Sequence, residues 1–496
     1  MSANSETMAD IAAKDTGFFG HPRGLQTLFF TEMWERFSYY GMRALLIGYM
    51  TATLAAGGLG FDTKKAGLIY GLYTSSVYFL PVIGGWLADN VLGARRAVFI
   101  GGVVIMCGHI ALAFASVSTF FIGLVLVAIG TGFLKSNIST MVGGLYGEKD
   151  ARRDAGFSIF YMGINLGGFI APIICGQLRQ GAGWHYAFGA AAVGMAAGLI
   201  QYRLGAGKLS RVGSPPVRQE IAGKQKGLLS PAYTMVIIAL LAVVAYLVYL
   251  QGIAWLMPLL IAVALIAVVL IGLDAKLTSQ EWTRMGLIFI LFFFSSIFFM
   301  AFEQAGSSLN LFARDLTNNS IAGKGFAYEN YQAVNSLFIV GFAPVFAALW
   351  IKLGQRQPSE SVKFAFGLLF AGLGFLVMTY ASSLTGGGAR VSPFYLVLFY
   401  LLATFGELCL SPVGLSSMTK LAPRQMVGLM MGVWFLSISL GNFFAGIIGG
   451  EFEAKSEVLV GLFSKVAAVT IIAAIALFAL SPFFKRLMLS GEQAER

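Results

Sequence analysis

The chain has 496 residues, of which 57% are hydrophobic and only 11% are charged. Soluble domains carry about 25% charged residues, so this composition excludes a soluble globular protein and predicts a chain that lies largely in lipid. The apolar segments are long, which favours transmembrane helices over the alternating strands of a β-barrel. The net charge of +11 does not indicate nucleic-acid binding, because loop Lys and Arg residues set the orientation of membrane proteins.

Long apolar runs, separated by turn residues and charges, recur along the whole chain. Each run can cross the hydrocarbon core of a bilayer, which takes roughly 20 residues. They predict an all-α polytopic membrane protein with fourteen transmembrane helices. The predicted spans lie near residues 25–55, 63–91, 96–116, 118–146, 155–178, 183–203, 231–250, 253–273, 284–313, 328–351, 361–383, 392–419, 425–449 and 459–484.

The distribution of charge predicts the orientation of the chain. If the N-terminus is cytoplasmic, the cytoplasmic segments hold 23 Lys and Arg residues and the outer loops hold 8, as the positive-inside rule requires. Residues 1–24 lack the pattern of a cleavable signal and are predicted to form a cytoplasmic tail. Residues 204–230 form the most basic linker, and 485–496 form a second cytoplasmic tail.

Two segments of the chain resemble each other. "FYMGINLGGFIAPIICG" (160–176) aligns without gaps to "WFLSISLGNFFAGIIGG" (434–450), with eight of seventeen residues identical. Chance is the alternative, since membrane helices draw on few residue types. The match predicts two parallel repeats with a substrate site between them near the bilayer midplane. The predicted domains are an N-terminal six-helix bundle (25–203), an inserted helix pair (231–273) and a C-terminal six-helix bundle (274–484).

The segment "GGWLADNVLGARR" (84–96) joins the second and third predicted spans. Asp89 on one side and Arg95 and Arg96 on the other bracket a tight turn. This pattern resembles the loop motif of major facilitator transporters, with one extra residue before Gly93. We expect it to clamp helix ends and to have no role in substrate binding.

Charged residues lie within the first span, in "TEMWERFSYYG" (31–41). A charge at the bilayer centre costs roughly 2.5–3.5 kcal/mol or more, so an intramembrane charge is a functional hypothesis by default. At 3.6 residues per turn the polar side chains form one stripe that must face the protein interior or a cavity. The stripe comprises Glu32, Glu35, Arg36, Tyr39, Tyr40 and Arg43. A purely structural role remains the alternative, above all for the Glu32–Arg36 pair at i,i+4.

Three further intramembrane charges stand in later spans. Lys135, in "GTGFLKSNIST", belongs to the N-terminal half, whereas Glu303, in "FMAFEQAGSS", and Glu407, in "ATFGELCLSPVG", belong to the C-terminal half. Pairs that close across the two halves would act as gates. The alternative is that these charges only hold the helices together.

Residues 32–41, "EMWERFSYYG", match the E-x-x-E-R-F-x-Y-Y-G signature of the proton-dependent oligopeptide transporter family at every defined position. "FYMGINLGG" (160–168) resembles the second signature of that family. The segments around Lys135, Glu303 and Glu407 are similar to its fourth, seventh and tenth helices, although Ser136 stands where many members have proline. The resemblance implies a major facilitator fold with two extra central helices, proton-coupled symport of di- and tripeptides, and a bacterial inner membrane location.

The resemblance also implies roles for individual residues. Arg43 and Lys135 would bind the peptide carboxylate, while Glu407, Asn165 and Asn335 would bind the amine. The full implied peptide-binding set is Tyr39, Tyr40, Arg43, Tyr78, Lys135, Asn165, Asn335, Glu407, Ser411 and Trp434. The implied proton-coupling set is Glu32, Glu35, Arg36 and Glu303. The implied gate salt bridges are Arg43–Glu303 and Lys135–Glu407.

Other functions find less support in the sequence. The chain has three His residues and none of the metalloprotease, serine-hydrolase or P-loop motifs, so we expect no enzyme and no ATP-driven pump. We expect no metal and no cofactor other than the coupling proton. We also expect that the transport unit is monomeric and that its partners are the lipid bilayer and peptides. The alternative keeps the fold and proton coupling but changes the solute to nitrate, another anion or a drug.

Overall fold

The computed structural model describes residues 15–147, 150–209, 212–214, 230–321 and 323–493. These residues are almost entirely helical. Before the linker lie α1 (Arg23–Thr51), α2 (Thr63–Leu87), α3 (Ala94–Leu112), α4 (Val117–Gly144), α5 (Arg153–Ala182) and α6 (Trp184–Gly205). After it lie α7 (Pro231–Gln251), α8 (Leu256–Asp274), α9 (Ser279–Phe302), α10 (Ser308–Asp315), α11 (Tyr331–Leu353), α12 (Glu360–Ser383), α13 (Phe394–Leu421), α14 (Val427–Gly449) and α15 (Ser456–Gln493).

The helical membrane fold is confirmed, with a helix at each of the fourteen predicted spans. Within the described residues, twelve helical segments are long and apolar enough to cross a membrane. The other two predicted spans are α1, which carries the intramembrane charges, and α6, nearly half of which is Ala and Gly. The mean hydropathy of both helices is low because of their composition, although both are long enough to span a membrane.

The structure departs from the predicted spans in several places. The first helix ends at Thr51, before the predicted 55, because the chain turns through a short 3₁₀ segment, Leu54–Ala56. The predicted span 284–313 is broken by the 3₁₀ turn Glu303–Gly306, after which α10 begins. A short antiparallel hairpin, with strands β1 (Ser320–Ile321) and β2 (Lys324–Gly325), follows α10.

The predicted turn at 84–96 is shorter than expected. The helix continues through a π-helical segment, Ala88–Leu92, so that Gly93 alone, at φ 77°, makes the turn. Arg95 then binds the end of α6 and the residues beyond it, because its backbone N–H donates to Gly213 O at 2.8 Å and its guanidinium donates to Ala206 O. This is the expected clamp on helix ends.

The described helices divide into two compact units. Of the described residues, the first unit comprises those up to Tyr49, Leu54–Leu59 and those between Leu80 and residue 214. The second comprises Met50–Thr53, Gly60–Phe79 and the described residues from 230 onward. The part of α2 up to Phe79 therefore clusters with the later helices, whereas the predicted N-terminal bundle holds all of it. Much of the predicted linker, at 210–211 and 215–229, and residues 1–14 and 494–496 of the predicted tails lie outside the described residues.

In the first unit, close helix crossings hold α1 against α5 and α6. A Cβ atom on Gly167 of α5 would lie 2.4 Å from Met33 O, and one on Gly198 of α6 would lie 2.8 Å from Trp34 Cβ. Only glycine allows such an approach. The close contact keeps the charged stripe of α1 buried among its neighbours.

The repeat is visible in the packing of two matched glycines. Gly167 of α5 and Gly441 of α14 are paired in the sequence alignment. Gly167 lies against α1, the first helix of the first unit, and Gly441 lies against α9, where a Cβ atom would come within 2.5 Å of Phe299 Cβ. Since α9 begins the six membrane spans that follow the inserted pair, the two glycines occupy equivalent positions, as a duplicated bundle requires.

In the second unit the part of α2 up to Phe79 crosses α14 through small residues. A Cβ atom on Gly446 would lie 2.3 Å from Gly71 Cα and 2.6 Å from Gly67 O. Two hydrogen bonds continue the contact, because the Ser439 hydroxyl lies 2.8 Å from the Ser75 hydroxyl and 2.8 Å from Ser75 O. Backbone atoms of the two helices are thus in direct contact.

Outside the membrane segments, the turn before α1 packs on the end of α4. His21 Nδ1 lies 2.9 Å from the Tyr146 hydroxyl. Arg152 donates to Asp150 at 2.8 Å and to Gly20 O at 3.1 Å, which ties the turn to the segment before α5. The pKa of His21 lies below its ordinary value because burial and the Arg152 guanidinium both disfavour protonation, against a weaker opposing effect of Asp150. Burial raises the pKa of Tyr146 to about 12.

Candidate functional site

The first unit contains a buried ion cluster on α1. Glu32, Glu35 and Arg36 are 3%, 0% and 2% exposed. Arg36 Nε lies 3.1 Å from Glu32 Oε1 and also donates to the Glu35 carboxylate. Two carboxylates share one guanidinium, so these three side chains alone carry one formal negative charge, and Lys135 of α4 supplies a further positive charge near Glu32. An uncompensated buried charge is unfavourable.

The same stripe continues with aromatic and cationic side chains. The Arg36 guanidinium lies over the Tyr39 ring at 5.2 Å, and the Arg43 guanidinium lies over the Tyr40 ring at 5.9 Å. Such cation–π contacts stabilise a cation by about 0.5–2 kcal/mol. Arg43 is 6% exposed, so the stripe continues as a buried polar surface over two further turns of α1.

Two other predicted residues of the first unit lie on α4 and α5. Lys135, half-buried on α4, is close enough to Glu32 for a charge–charge attraction. Asn165, buried on α5, donates from Nδ2 to Tyr161 O of its own helix at 3.0 Å. The helix α4 is unbroken at Ser136, whose hydroxyl donates to Pro81 O at 3.2 Å. The departure from the family proline at this position therefore leaves α4 continuous.

The second unit brings two predicted residues together. Asn335 of α11 donates from Nδ2 to Glu407 Oε2 of α13 at 3.1 Å, and both side chains are half-buried. The same Nδ2 donates to the hydroxyl of Thr404 at 3.0 Å. A carboxylate beside an amide offers several acceptor oxygens, which is the chemistry that an ammonium group needs.

Three further predicted binding residues of this unit are Ser411, Trp434 and Tyr78. On α13, Ser411 lies one turn after Glu407, and its buried Oγ has no hydrogen-bond partner among the described residues. The indole of Trp434 lies over Gly414, where a Cβ atom would come within 2.2 Å of the ring. Tyr78 is 8% exposed. Two aromatic residues that the sequence did not single out, Phe299 and Phe364, pack on Trp434 with ring centroids 5.8 Å and 6.4 Å away.

Glu303 is 4% exposed and begins the turn that breaks α9 from α10. The next residue, Gln304, is fully buried and donates to Met300 O and Ala445 O at 3.3 Å each. The sequence could have indicated Gln304 as well, because it follows Glu303 directly in the "FEQAGSS" segment. The predicted gate pairs, Arg43–Glu303 and Lys135–Glu407, each take one residue from each unit, and they stay predictions.

The structure has a helix at each predicted membrane span, a duplicated bundle, and charged and amide side chains buried between the helices. These features define a polytopic membrane protein of the major facilitator fold. The family within this fold is identified by comparison with a family model. The family model PTR2, described as the POT family, matches residues 95–466. The chain belongs to the POT family, which is a family of transporters.

Individual relatives cover nearly the whole chain. The peptide transporter YePEPT of Yersinia enterocolitica subsp. palearctica is 42% identical over 95% of this chain and 96% of its own. A di-/tripeptide transporter of Lactococcus lactis subsp. lactis is 39% identical over 91% and 94%. A crystal structure of the peptide transporter POT in complex with sulfate superposes with a TM-score of 0.86 at 41% identity, covering 97% of this chain and 99% of that one.

Proposed function

We propose that this protein is a proton-coupled symporter that imports di- and tripeptides by alternating access. The observation that carries the proposal is the half-buried Asn335–Glu407 pair, at 3.1 Å in the second unit. Simple anions need no carboxylate in their binding site, whereas the amine of a peptide does. Relatives named as peptide or di-/tripeptide transporters match more than nine-tenths of the chain.

A site that accepts many peptides has to bind the invariant termini and leave the side chains unconstrained. Glu407 and Asn335, with Asn165, bind the amine. Arg43 and Lys135 supply the cations for the carboxylate. Aromatic rings tolerate varied side chains, and Tyr39, Tyr40, Tyr78 and Trp434 provide them, with the unpartnered hydroxyl of Ser411 as a further polar contact.

Proton coupling requires a carboxylate whose proton affinity depends on conformation. Burial favours the protonated form of a carboxyl group, and a nearby cation favours the ionised form. Glu303 acquires both properties if Arg43 pairs with it in one state only. The Glu32–Glu35–Arg36 cluster, with two carboxylates for one guanidinium, supplies further acceptors, and the Lys135–Glu407 pair closes the opposite gate.

The bias of Lys and Arg toward the predicted cytoplasmic loops supports a location with both termini in the cytoplasm. The bacterial origin of the relatives supports the inner membrane. The transport unit is a single chain, and the transported cosubstrate is the proton, with no other cofactor.

The test is uptake of labelled dialanine into proteoliposomes with and without an inward proton gradient. Accumulation above equilibrium that collapses with a protonophore is the expected result. Folded protein that takes up nitrate, another anion or a drug, but not dialanine, would overturn the substrate and keep the fold. Uptake that only equilibrates dialanine at every gradient would overturn the coupling.

A further inference from the structure

The amide of Asn335 is held by two acceptors at once. Its Nδ2 atom donates one hydrogen to Thr404 Oγ1 at 3.0 Å and the other to Glu407 Oε2 at 3.1 Å. The Thr404 hydroxyl donates its own hydrogen to Tyr400 O, one turn earlier on α13, at 2.7 Å. Because that hydrogen is already used, the Thr404 oxygen can only accept from Asn335.

This arrangement decides which end of the amide faces a ligand. Both amide hydrogens are directed toward α13, so Oδ1 is left as the acceptor on the other side, and it accepts no hydrogen bond from the described residues. We infer that Thr404 is a positioning residue for the peptide amine, since it fixes Asn335 with Oδ1 toward the ammonium. This inference rests on the proposed function.

Thr404 can hold the amide of Asn335 throughout the transport cycle, whereas Glu407 cannot. A carboxylate that changes its gate partner or takes up a proton changes its orientation and acceptor strength, so its bond to the amide is not constant. The Thr404 hydroxyl is fully buried and bonded to its own backbone, so its acceptor stays in place in every protonation state. Without it, the amide can rotate and present its N–H donors to the ammonium, which repels them.

The experiment measures inhibition of dialanine uptake by unlabelled peptides in proteoliposomes. Thr404→Val removes the hydroxyl at constant shape, and we expect KM for dialanine to rise about tenfold, at the upper end of the range for one neutral hydrogen bond, with Vmax unchanged. Thr404→Ser retains the hydroxyl and is expected to behave as wild type. Thr379→Val is the matched control, because Thr379 makes the same backbone bond, to Phe375 O at 2.8 Å, on a different helix.

Two further measurements separate positioning from a general structural effect. In an Asn335→Ala background, Thr404→Val should cause no additional loss, since the hydroxyl acts through the amide. The inhibition constant of N-acetyl-dialanine, which has no ammonium, should not change in Thr404→Val. Equal losses for both ligands, or full additivity with Asn335→Ala, would overturn the inference.

The outcome also separates this inference from the proposed function. If wild-type protein takes up no dialanine, the proposed function fails and the inference fails with it. If wild-type protein takes up dialanine and Thr404→Val does so with unchanged KM, the inference alone fails. Should Thr404→Val give no folded protein, Thr404→Ala in the same assays decides in its place.

Discussion

The crossing of α2 and α14 predicts a large effect of a single methyl group. A Cβ atom on Gly446 would lie 2.3 Å from Gly71 Cα, 2.4 Å from Gly71 N and 2.6 Å from Gly67 O. All three neighbours are backbone atoms, so no side chain can move aside. Since carbon atoms pack at about 3.5–4.0 Å, Gly446→Ala would force the helices apart by more than about 1 Å.

Overpacking of this kind costs about 1–3 kcal/mol and occasionally more. The backbone contact places Gly446→Ala toward the upper end of that range. Gly71→Ala should cost less, because its closest contacts are 2.7 Å from Phe443 O and 3.2 Å from Gly446 Cα. The two losses should not add, since helices that have separated for one methyl group accommodate the second more easily.

The assay is thermal unfolding of purified protein in detergent at a fixed scan rate, because membrane proteins often unfold irreversibly. We expect Gly446→Ala to lower Tm by roughly 2–6 °C, since the shift per kcal/mol becomes smaller in large chains. Gly428→Ala is the matched control on the same helix, where a Cβ atom has nothing within 4 Å. A Tm for Gly446→Ala equal to that of Gly428→Ala would refute the close crossing.

Three further predictions concern the charged residues. Glu303→Gln should abolish proton-driven accumulation of labelled dialanine while sparing exchange across the membrane, and accumulation against a gradient in this variant would remove Glu303 from the coupling. Arg36→Met should destabilise the protein by about 3–5 kcal/mol, because it removes the guanidinium that pairs with two buried carboxylates; Arg23→Met, in an exposed pair with Asp15, should change Tm little. The folded-state pKa of His21 is depressed, so the stability that its neutral form confers is present above its unfolded pKa of about 6.5 and lost as pH falls below it. His21→Asn should therefore flatten the fall in Tm between about pH 7.5 and 5.5, and an unchanged slope would contradict this assignment.

The membrane architecture was largely predictable because the bilayer itself imposes it. Each apolar run in the sequence must be helical in lipid, since unsatisfied backbone groups are excluded there. The breaks inside helices were harder to predict. The turn at Glu303 begins the polar stretch EQAGSS (303–308), which the predicted span 284–313 passes through without a break. By contrast, Ala88–Leu92 contains Asp and Asn residues that suggest a loop although the backbone stays helical, so polarity alone does not decide where a helix breaks.

The site could be predicted where the residues themselves are costly to bury. Glu32, Glu35 and Arg36 stand out because charge in a membrane segment requires a partner, and the structure supplies one through ion pairing on a single helix. Thr404 gives no such signal. A threonine in an apolar helix ordinarily bonds its own backbone, and Thr404 does so as well. Its second bond arises only because α11 brings Asn335 beside α13, and a single sequence does not specify which residues of two distant helices will meet.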